Sequence, residues 1–275
     1  MGRPFGMSDS SSVQVVQDVF YLTNMMVNIC FLKDSAKQTD WVLVDAGLQN
    51  AVDSIRQFSK AHFGKEIAPK AIVLTHGHFD HVGALPELLK DWHVPVYAHE
   101  AELPYLTGKS DYPPPDPSVG GGLLASVSSV YPHQGINLGE RVQALPVDGS
   151  VPFLSGWRWI HTPGHTPGHV SLFREQDRVL VAGDAFTTVK QESAWAVLTQ
   201  DKEVHGPPSY FTTDWKSARE SVKKLEALQP SVVISGHGQP LQGESLRKQL
   251  DALADDFAHL AVPPQGQYVP DQWKR

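Results

Sequence analysis

Short apolar runs separated by polar turns recur along the whole chain. Runs of this kind, rich in β-branched and large apolar side chains, predict β-strands. They fall at residues 13–17, 19–22, 28–32, 41–44, 71–74, 94–98, 141–145, 157–160, 170–173, 179–182 and 232–235. Apolar residues at helical spacing predict helices at 51–61, 84–89, 215–228 and 246–260. Because strands alternate with helices and the alternation repeats, we predict an α/β fold with sheet layers flanked by helices.

Two segments interrupt this alternation. Residues 108–122 concentrate prolines and glycines, which excludes regular helix or strand, and residues 187–210 form a second irregular segment. Long irregular loops in a compact domain are commonly functional, so 108–122 is interpreted as a flap beside a site, with a surface linker as the alternative. We expect a flexible polar segment at 1–12, one domain at 13–262, and a C-terminal tail at 263–275 that packs on its own domain or on a partner subunit.

Composition narrows the class of protein. The 275 residues carry 23 Lys and Arg against 30 Asp and Glu, a net charge of −7, which disfavours nucleic acid as a partner. Cys30 is the single cysteine, so no intrachain disulfide forms and a reducing, cytoplasmic location is expected. No apolar run approaches the roughly 20 residues that span a bilayer, so no membrane association is expected. The 13 histidines are about twice the usual number, and histidine is a common metal ligand.

The densest chemical signal is the segment 75–83, which reads Thr-His-Gly-His-Phe-Asp-His-Val-Gly. It follows a predicted buried strand and precedes a predicted helix. Residues two apart in an extended chain point the same way, so His76 and His78 can bind one metal ion together. Asp80 and His81 follow where the chain bends into the helix, and they can reach a second ion.

Further candidate ligands lie at later strand ends. Asp184 and His237 each stand next to a glycine where a predicted strand closes, which is where α/β folds assemble their sites. Between two other strands the chain offers His161, His165 and His169. Their spacing does not distinguish which of the three is a ligand.

These motifs, in this order, resemble those of the metallo-β-lactamase-fold hydrolases. The matching residues are Asp45 in Leu-Val-Asp-Ala-Gly, the cluster at 76–81, His165 in Pro-Gly-His-Thr-Pro-Gly, Asp184 in Ala-Gly-Asp-Ala, and His237 in Ser-Gly-His-Gly. The resemblance covers most of the chain. It implies a four-layer αββα fold, in which two mixed β-sheets pack face to face between outer helices and hold the metals at one edge.

The resemblance also implies the ligands of two divalent ions. The first ion would be bound by His76, His78 and His165. The second would be bound by Asp80, His81 and His237. Asp184 would bridge the two ions, and the family match selects His165 over His161 and His169. Zinc is the expected metal because imidazole suits it, with iron, manganese or cobalt as alternatives.

The chemistry implied by the resemblance is hydrolysis of a small-molecule substrate. A hydroxide shared by the two ions would attack an ester-like or lactone carbonyl, and the ions would stabilise the resulting oxyanion. Asp80 is the expected catalytic residue, since its carboxylate can shuttle a proton. Asp45 and Thr75 are expected to orient the ligands or to serve a structural role.

Departures from subfamily patterns bear on the substrate. Common zinc β-lactamases carry a cysteine at the position of Asp184, and glyoxalase II enzymes append a helical domain for which the segment after His237 is too short. Acyl-homoserine lactonases share the seven ligands but usually place a tyrosine where this chain has Thr187. Ester or lactone hydrolysis is the first expectation. An acyl-homoserine lactonase specifically, a phosphoesterase, a promiscuous β-lactam hydrolase and an iron-dependent oxidoreductase are the alternatives.

Several other residues remain without a motif. Tyr210, Phe211, Trp195 and Tyr131 are interpreted as core residues, with pocket lining as the alternative. The remaining histidines are interpreted as surface or satisfied core residues. These are His62, His93, His99, His133, His205 and His259.

Overall fold

The structure is a computed structural model that describes residues 12–37, 39–64, 68–119, 128, 131–189 and 202–275. A seven-stranded sheet is built from the first half of the chain in the order β1 to β7. Its strands are β1 Ser12–Val16, β2 Val19–Asn24, β3 Val27–Lys33, β4 Trp41–Val44, β5 Ala71–Val73, β6 Val96–Ala98 and β7 Val142–Ala144. Strands β1 to β4 pair antiparallel and β4 to β7 pair parallel, so the sheet is mixed.

A five-stranded sheet follows, in the order β12-β11-β10-β9-β8. Its strands are β8 Trp157–His161, β9 Val170–Arg174, β10 Val179–Gly183, β11 Val232–Ser235 and β12 Leu241–Gln242. Strands β10 and β11 run parallel, and the other neighbours are antiparallel. The parallel pair brings the carboxyl ends of β10 and β11 to the same edge of the sheet.

The two sheets pack face to face, and helices cover their outer faces. Strand β4 shows how the sequence produces this arrangement, because alternate residues of a strand point to opposite faces. Val42 and Val44 pack with Leu172 and Val181 of the other sheet, whereas Leu43 packs against the helices of the first half. With both faces buried, the inner strands read as continuous apolar runs. The predicted four-layer αββα fold is therefore confirmed.

The helices lie at α1 Val52–Phe63, α2 Phe79–Val82, α3 Leu85–Asp91, α4 Leu103–Leu106, α5 Trp215–Glu226, α6 Gly243–Asp255 and α7 Phe257–Leu260. The prediction of one final helix over 246–260 is wrong, because the chain leaves helical geometry at Asp256 and then forms α7. This break places the Phe257 ring 6.3 Å from that of Trp215 on α5. Strand β12 and the single-turn helices α2 and α4 were not predicted, since elements this short carry no readable periodicity.

The irregular segments and the chain ends complete the description. In the described part of the segment 108–122, the regular structure is one 3₁₀ turn at Pro117–Val119. Residues 190–201 of the second irregular segment lie outside the described residues, as does the expected flexible segment up to residue 11. In the tail 263–275, Val269 is buried against the core of the second half. Among the described helices, none is long and apolar enough to cross a membrane.

Candidate metal centre

Four loops meet at one edge of the two sheets. The loop after β5 carries the segment 75–78, which leads into α2 with Asp80 and His81. The loop between β8 and β9 carries His165, and Asp184 and His237 follow the ends of β10 and β11. The carboxyl ends of neighbouring parallel strands open at the same edge of a sheet, so side chains far apart in sequence converge there.

Three overlapping groups of side chains offer ligand atoms that all lie within 4.8 Å of one another. The groups are His76, His78 and His165; His76, His81 and Asp184; and Asp80, His81 and His237. All seven ligands expected from the sequence fall in these groups. Six are buried, and the Asp80 side chain is 16% exposed, so the site opens to solvent on the side of Asp80.

Asp184 lies between the two ends of the cluster. Its Oδ2 atom is 3.5 Å from Nε2 of His165, 3.2 Å from Nε2 of His237 and 3.6 Å from Nε2 of His81. Nδ1 of His78 is 3.0 Å from Nε2 of His165. One carboxylate thus faces histidines of both expected ligand sets.

The donor atoms fit a metal ion. Among the described residues, three buried atoms of the cluster have no hydrogen-bond partner: His76 Nε2, His81 Nε2 and Asp184 Oδ1. A buried polar atom without a partner costs about 1–3 kcal/mol, and native proteins leave few such atoms. Imidazole nitrogens and carboxylate oxygens that converge without partners are the donor set a divalent transition metal takes.

Asp45 and Thr75 contact the outer nitrogens of His81 and His76. Asp45 Oδ2 is 2.8 Å from Nδ1 of His81, and the Asp45 carboxylate accepts hydrogen bonds from the Thr75 amide at 2.8 Å and the Thr75 hydroxyl at 2.7 Å. The Thr75 hydroxyl is also 3.1 Å from Nδ1 of His76. Each contact leaves the Nε2 atom of its histidine facing the cluster.

The outer nitrogens of two further histidines are also engaged. His237 Nδ1 lies 2.9 Å from the carbonyl of Met26, and His165 Nδ1 lies 3.3 Å from the hydroxyl of Thr212. Hydrogen bonds of this kind select the tautomer and orientation of a metal-binding imidazole.

The structure separates the three histidines that the sequence left open. His165 joins the first group, whereas the His161 ring stacks on His99 at 4.0 Å, and Nε2 of His161 lies 2.9 Å from the carbonyl of Pro167. His169 Nε2 accepts a hydrogen bond of 2.8 Å from the amide of Asp184. His169 therefore positions the expected ligand Asp184 and is not itself in any of the three groups. Sequence spacing does not reveal this role.

Burial and the neighbouring carboxylates shift the pKa of the histidines in opposite directions. Burial and neighbouring imidazoles hold the pKa of His76 and His78 well below the usual value, and burial lowers the pKa of His165 to about 4. Burial also opposes protonation of His81 and His237, but the nearby aspartates outweigh it and raise the pKa of both. In the described part of the chain, no Lys or Arg forms an ion pair with these aspartates.

Four aromatic side chains pack together beside the first group and form an aromatic wall. They are Phe79, Tyr131, Tyr210 and Phe211. The Phe211 ring lies 4.5 Å from His78 and 6.3 Å from both Phe79 and Tyr131. Tyr210 and Phe211 are buried, whereas Phe79 and Tyr131 are partly exposed. This aromatic wall therefore combines core packing with a partly open face. Trp195 lies outside the described residues.

The position usually held by tyrosine in acyl-homoserine lactonases lacks a phenol. Thr187 is buried there, and its hydroxyl donates to the carbonyl of Val189 over 2.8 Å. Tyr112 packs its ring 4.6 Å from His78 but gives its hydroxyl to Glu102. Neither Glu102 nor Tyr112 was singled out from the sequence, because no motif surrounds either residue.

One family profile and one relative of similar length match the sequence of this chain. The sequence profile of the metallo-β-lactamase superfamily matches residues 22–237. The probable metallo-hydrolase YflN of Bacillus subtilis (strain 168) is 49% identical over 247 residues, which cover 90% of this chain and 94% of YflN.

Solved structures of two other proteins are similar to this chain in fold. TTHA1623 in a di-iron-bound form is 26% identical with a TM-score of 0.57, over 86% of this chain and 98% of that one. A β-lactamase domain protein from Burkholderia ambifaria is 19% identical with a TM-score of 0.63, over 93% of this chain and 78% of that one. The second similarity concerns the fold alone.

Proposed function

The chain belongs to the metallo-β-lactamase superfamily of metal-dependent hydrolases, and we propose that it uses two divalent ions to hydrolyse a small ester or lactone. The observation that carries the proposal is the convergence of seven donor side chains in three overlapping groups. Three buried donor atoms of these groups have no other partner among the described residues. A single ion would leave some of the seven donors unused, so two ions account better for the set.

The charge of the cluster supports two ions as well. Asp45, Asp80 and Asp184 bring three carboxylates to the site. Within the described residues, none of the three pairs with Lys or Arg. Buried charges need compensation, and one divalent cation carries less positive charge than these three carboxylates carry negative charge, whereas two divalent cations carry more.

The residues divide the work of hydrolysis between them. Divalent ions bound here supply Lewis acidity and lower the pKa of water toward neutrality. Asp80 is the most exposed of the seven donors, and its Oδ2 atom is 3.5 Å from His237 Nε2. Its carboxylate can therefore accept a proton from an attacking water and return it to the leaving group. Asp184, between the two ligand sets, would keep the ions together.

The surroundings of the site support an uncharged acyl group. The aromatic wall of Phe79, Tyr131, Tyr210 and Phe211 stands beside His78 and contains no cation. An ester or lactone carrying an apolar chain fits such a wall, whereas a phosphodiester gains most from Lys or Arg contacts. Zinc suits the imidazole-rich donors, and the di-iron form of TTHA1623 makes iron the alternative to test.

The test measures turnover of four substrate classes by the same preparation, before and after chelation. The probes are a long-chain acyl-homoserine lactone, an aryl ester, a phosphodiester and a chromogenic β-lactam, with the metal content determined in parallel. We expect chelator-sensitive turnover of the lactone or the ester at about 10⁴ M⁻¹s⁻¹ or above. Turnover confined to the phosphodiester or the β-lactam, or turnover that survives complete metal removal, would overturn the proposal.

A further inference from the structure

Glu102 is a buried acid that the hydrolytic mechanism does not use. It ends the 3₁₀ turn Glu100–Glu102 between β6 and α4, and its side chain is fully inaccessible to solvent. In the described part of the chain, no Lys or Arg pairs with it. A carboxylate in such a place must be satisfied by hydrogen bonds.

Four donors from three different segments of the chain satisfy it. Oε2 accepts from the amide of Gly77 at 3.0 Å and from the hydroxyl of Tyr112. Oε1 accepts from the hydroxyl of Thr166 at 2.7 Å and from the amide of Gly168 at 2.8 Å. Burial raises the pKa of the Glu102 carboxyl above its usual value, and the four hydrogen bonds oppose that rise.

Two of these segments are the loops that carry the first metal group. Gly77 stands between His76 and His78, and Thr166 directly follows His165. Glu102 therefore links the segment 76–78 to the segment 165–168 through a single side chain. Nδ1 of His78 and Nε2 of His165, which come from the two linked segments, lie 3.0 Å apart.

The packing around Glu102 leaves no room for a side chain at Gly77 or Gly168. A Cβ atom at Gly168 would lie 2.7 Å from both Cγ and the amide nitrogen of Glu102. A Cβ atom at Gly77 would lie 2.4 Å from the hydroxyl of Tyr112. The close approach of both loops to this carboxylate thus depends on glycine at both positions.

We propose that Glu102 is a positioning residue that sets the separation of His78 and His165 and so determines the affinity of the first metal position. This inference rests on the proposed two-metal centre. Glu102 is not one of the seven donor residues, and it acts through the two loops it joins. Loss of a group that orients metal ligands typically weakens metal binding about 10–100-fold.

The test compares Glu102→Gln with Glu100→Gln. The first substitution keeps the size of the side chain but turns an amide group toward two of the four donors. Glu100 is exposed on the same turn, two residues earlier, and serves as the matched control. The readouts are metal ions per chain and the affinity of each ion, measured by competition with a chelator, together with melting of the metal-free protein.

We expect Glu102→Gln to bind one ion as tightly as wild type and the other about 10–100-fold more weakly, while Glu100→Gln matches wild type. Unchanged affinity for both ions would overturn the inference. So would equal loss of both ions with a collapse in melting temperature of the metal-free protein, because that result indicates a purely structural role.

A second variant covers the case in which Glu102→Gln does not fold. Tyr112→Phe removes one of the four donors and keeps the ring that lies 4.6 Å from His78. We expect a smaller weakening of the same ion, and no change in either affinity would again overturn the inference. Wild-type protein that binds no metal would overturn the proposed function itself, whereas a two-metal wild type with unaffected variants would overturn only the role of Glu102.

Discussion

Asp45 Oδ2 lies 2.8 Å from Nδ1 of His81, and the same carboxylate accepts two hydrogen bonds from Thr75. Asp45 adopts a positive φ of 59°, which aspartate tolerates better than most residues and which follows directly after β4. Asp45 supports His81 in the second expected ligand set, whereas Glu102 supports the loops of the first.

Substitution Asp45→Asn tests this division. Asparagine also tolerates a positive φ, so the backbone is kept, but the anion that fixes the His81 ring is lost. We expect the affinity of the second ion to fall about 10–100-fold and that of the first ion to fall less, because Asp45 reaches His76 only through the Thr75 hydroxyl. Metal competition measures this directly, with the exposed Asp53→Asn on α1 as control. Weakening of the first ion instead would contradict the division.

Loss of a ligand should separate metal binding from folding. We expect His78→Ala or Asp184→Ala to lose metal and hydrolysis together while far-UV circular dichroism stays close to wild type. The reason is that the two sheets are held by apolar packing away from the loops that carry these residues. His93→Ala, an exposed histidine outside the cluster, is the control. Full hydrolysis by either ligand variant would show that the site is misplaced.

Metal removal should lower thermal stability. Ions that bind only the folded chain stabilise it by about 4 kcal/mol at a concentration of about 1,000 times the dissociation constant. For a chain of this size that corresponds to a melting temperature roughly 10 °C higher than in the metal-free protein. Calorimetry with and without chelator measures the shift. No shift in a protein that binds ions would mean that the unpartnered donor atoms are not their ligands.

The metal-free protein should lose stability in mild acid through His169. Burial lowers the pKa of His169 to about 3, whereas an unfolded histidine titrates near 6.5. Between these values the unfolded chain binds the proton and the folded chain does not, so stability falls as the pH falls. The loss from this residue is about 2 kcal/mol between about pH 7 and about pH 5.

Urea unfolding of the metal-free protein at both pH values measures that loss. The variant His169→Gln removes the titrating group but retains an oxygen that can accept from the Asp184 amide. We expect its unfolding free energy to depend less on pH than that of wild type by about one proton. An unchanged pH dependence would mean that other histidines cause the effect.

The C-terminal tail should stabilise the loop beside the aromatic wall. Buried Asp116 accepts from the Ser118 amide at 2.9 Å and from the Gln267 amide at 2.5 Å, while its own amide donates to the carbonyl of Tyr210 at 2.7 Å. One residue thus connects the loop, the tail and the wall.

Asp116→Asn places an amide group against these donors. The expected cost is about 1–3 kcal/mol, or a melting temperature lower by roughly 3–10 °C. Hydrogen exchange should become faster in residues 113–119 and 264–268 together, because the substitution affects both sides of the contact. Asp271→Asn, with an exposed side chain in the same tail, should change neither. Faster exchange in only one segment would show that the two are not coupled through Asp116.

The sequence alone predicted the α/β class, most strand and helix positions and six of the seven expected ligands, and the family resemblance selected His165 as the seventh. Strand β4 illustrates why, because its alternating burial on two faces produces the continuous apolar run that is visible in the chain. The metal ligands in segment 75–83 could also be predicted from the sequence, since its histidines and aspartate are close neighbours in the chain.

Tertiary structure decided which of His161, His165 and His169 faces the cluster, and it revealed Glu102, whose four donors come from positions 77, 112, 166 and 168. The break at Asp256 also depended on packing, here of Phe257 against Trp215. The physical reason is the same in each case. Local periodicity reports which face of an element is buried, but a hydrogen bond or ring contact between distant loops leaves no periodic trace in the chain.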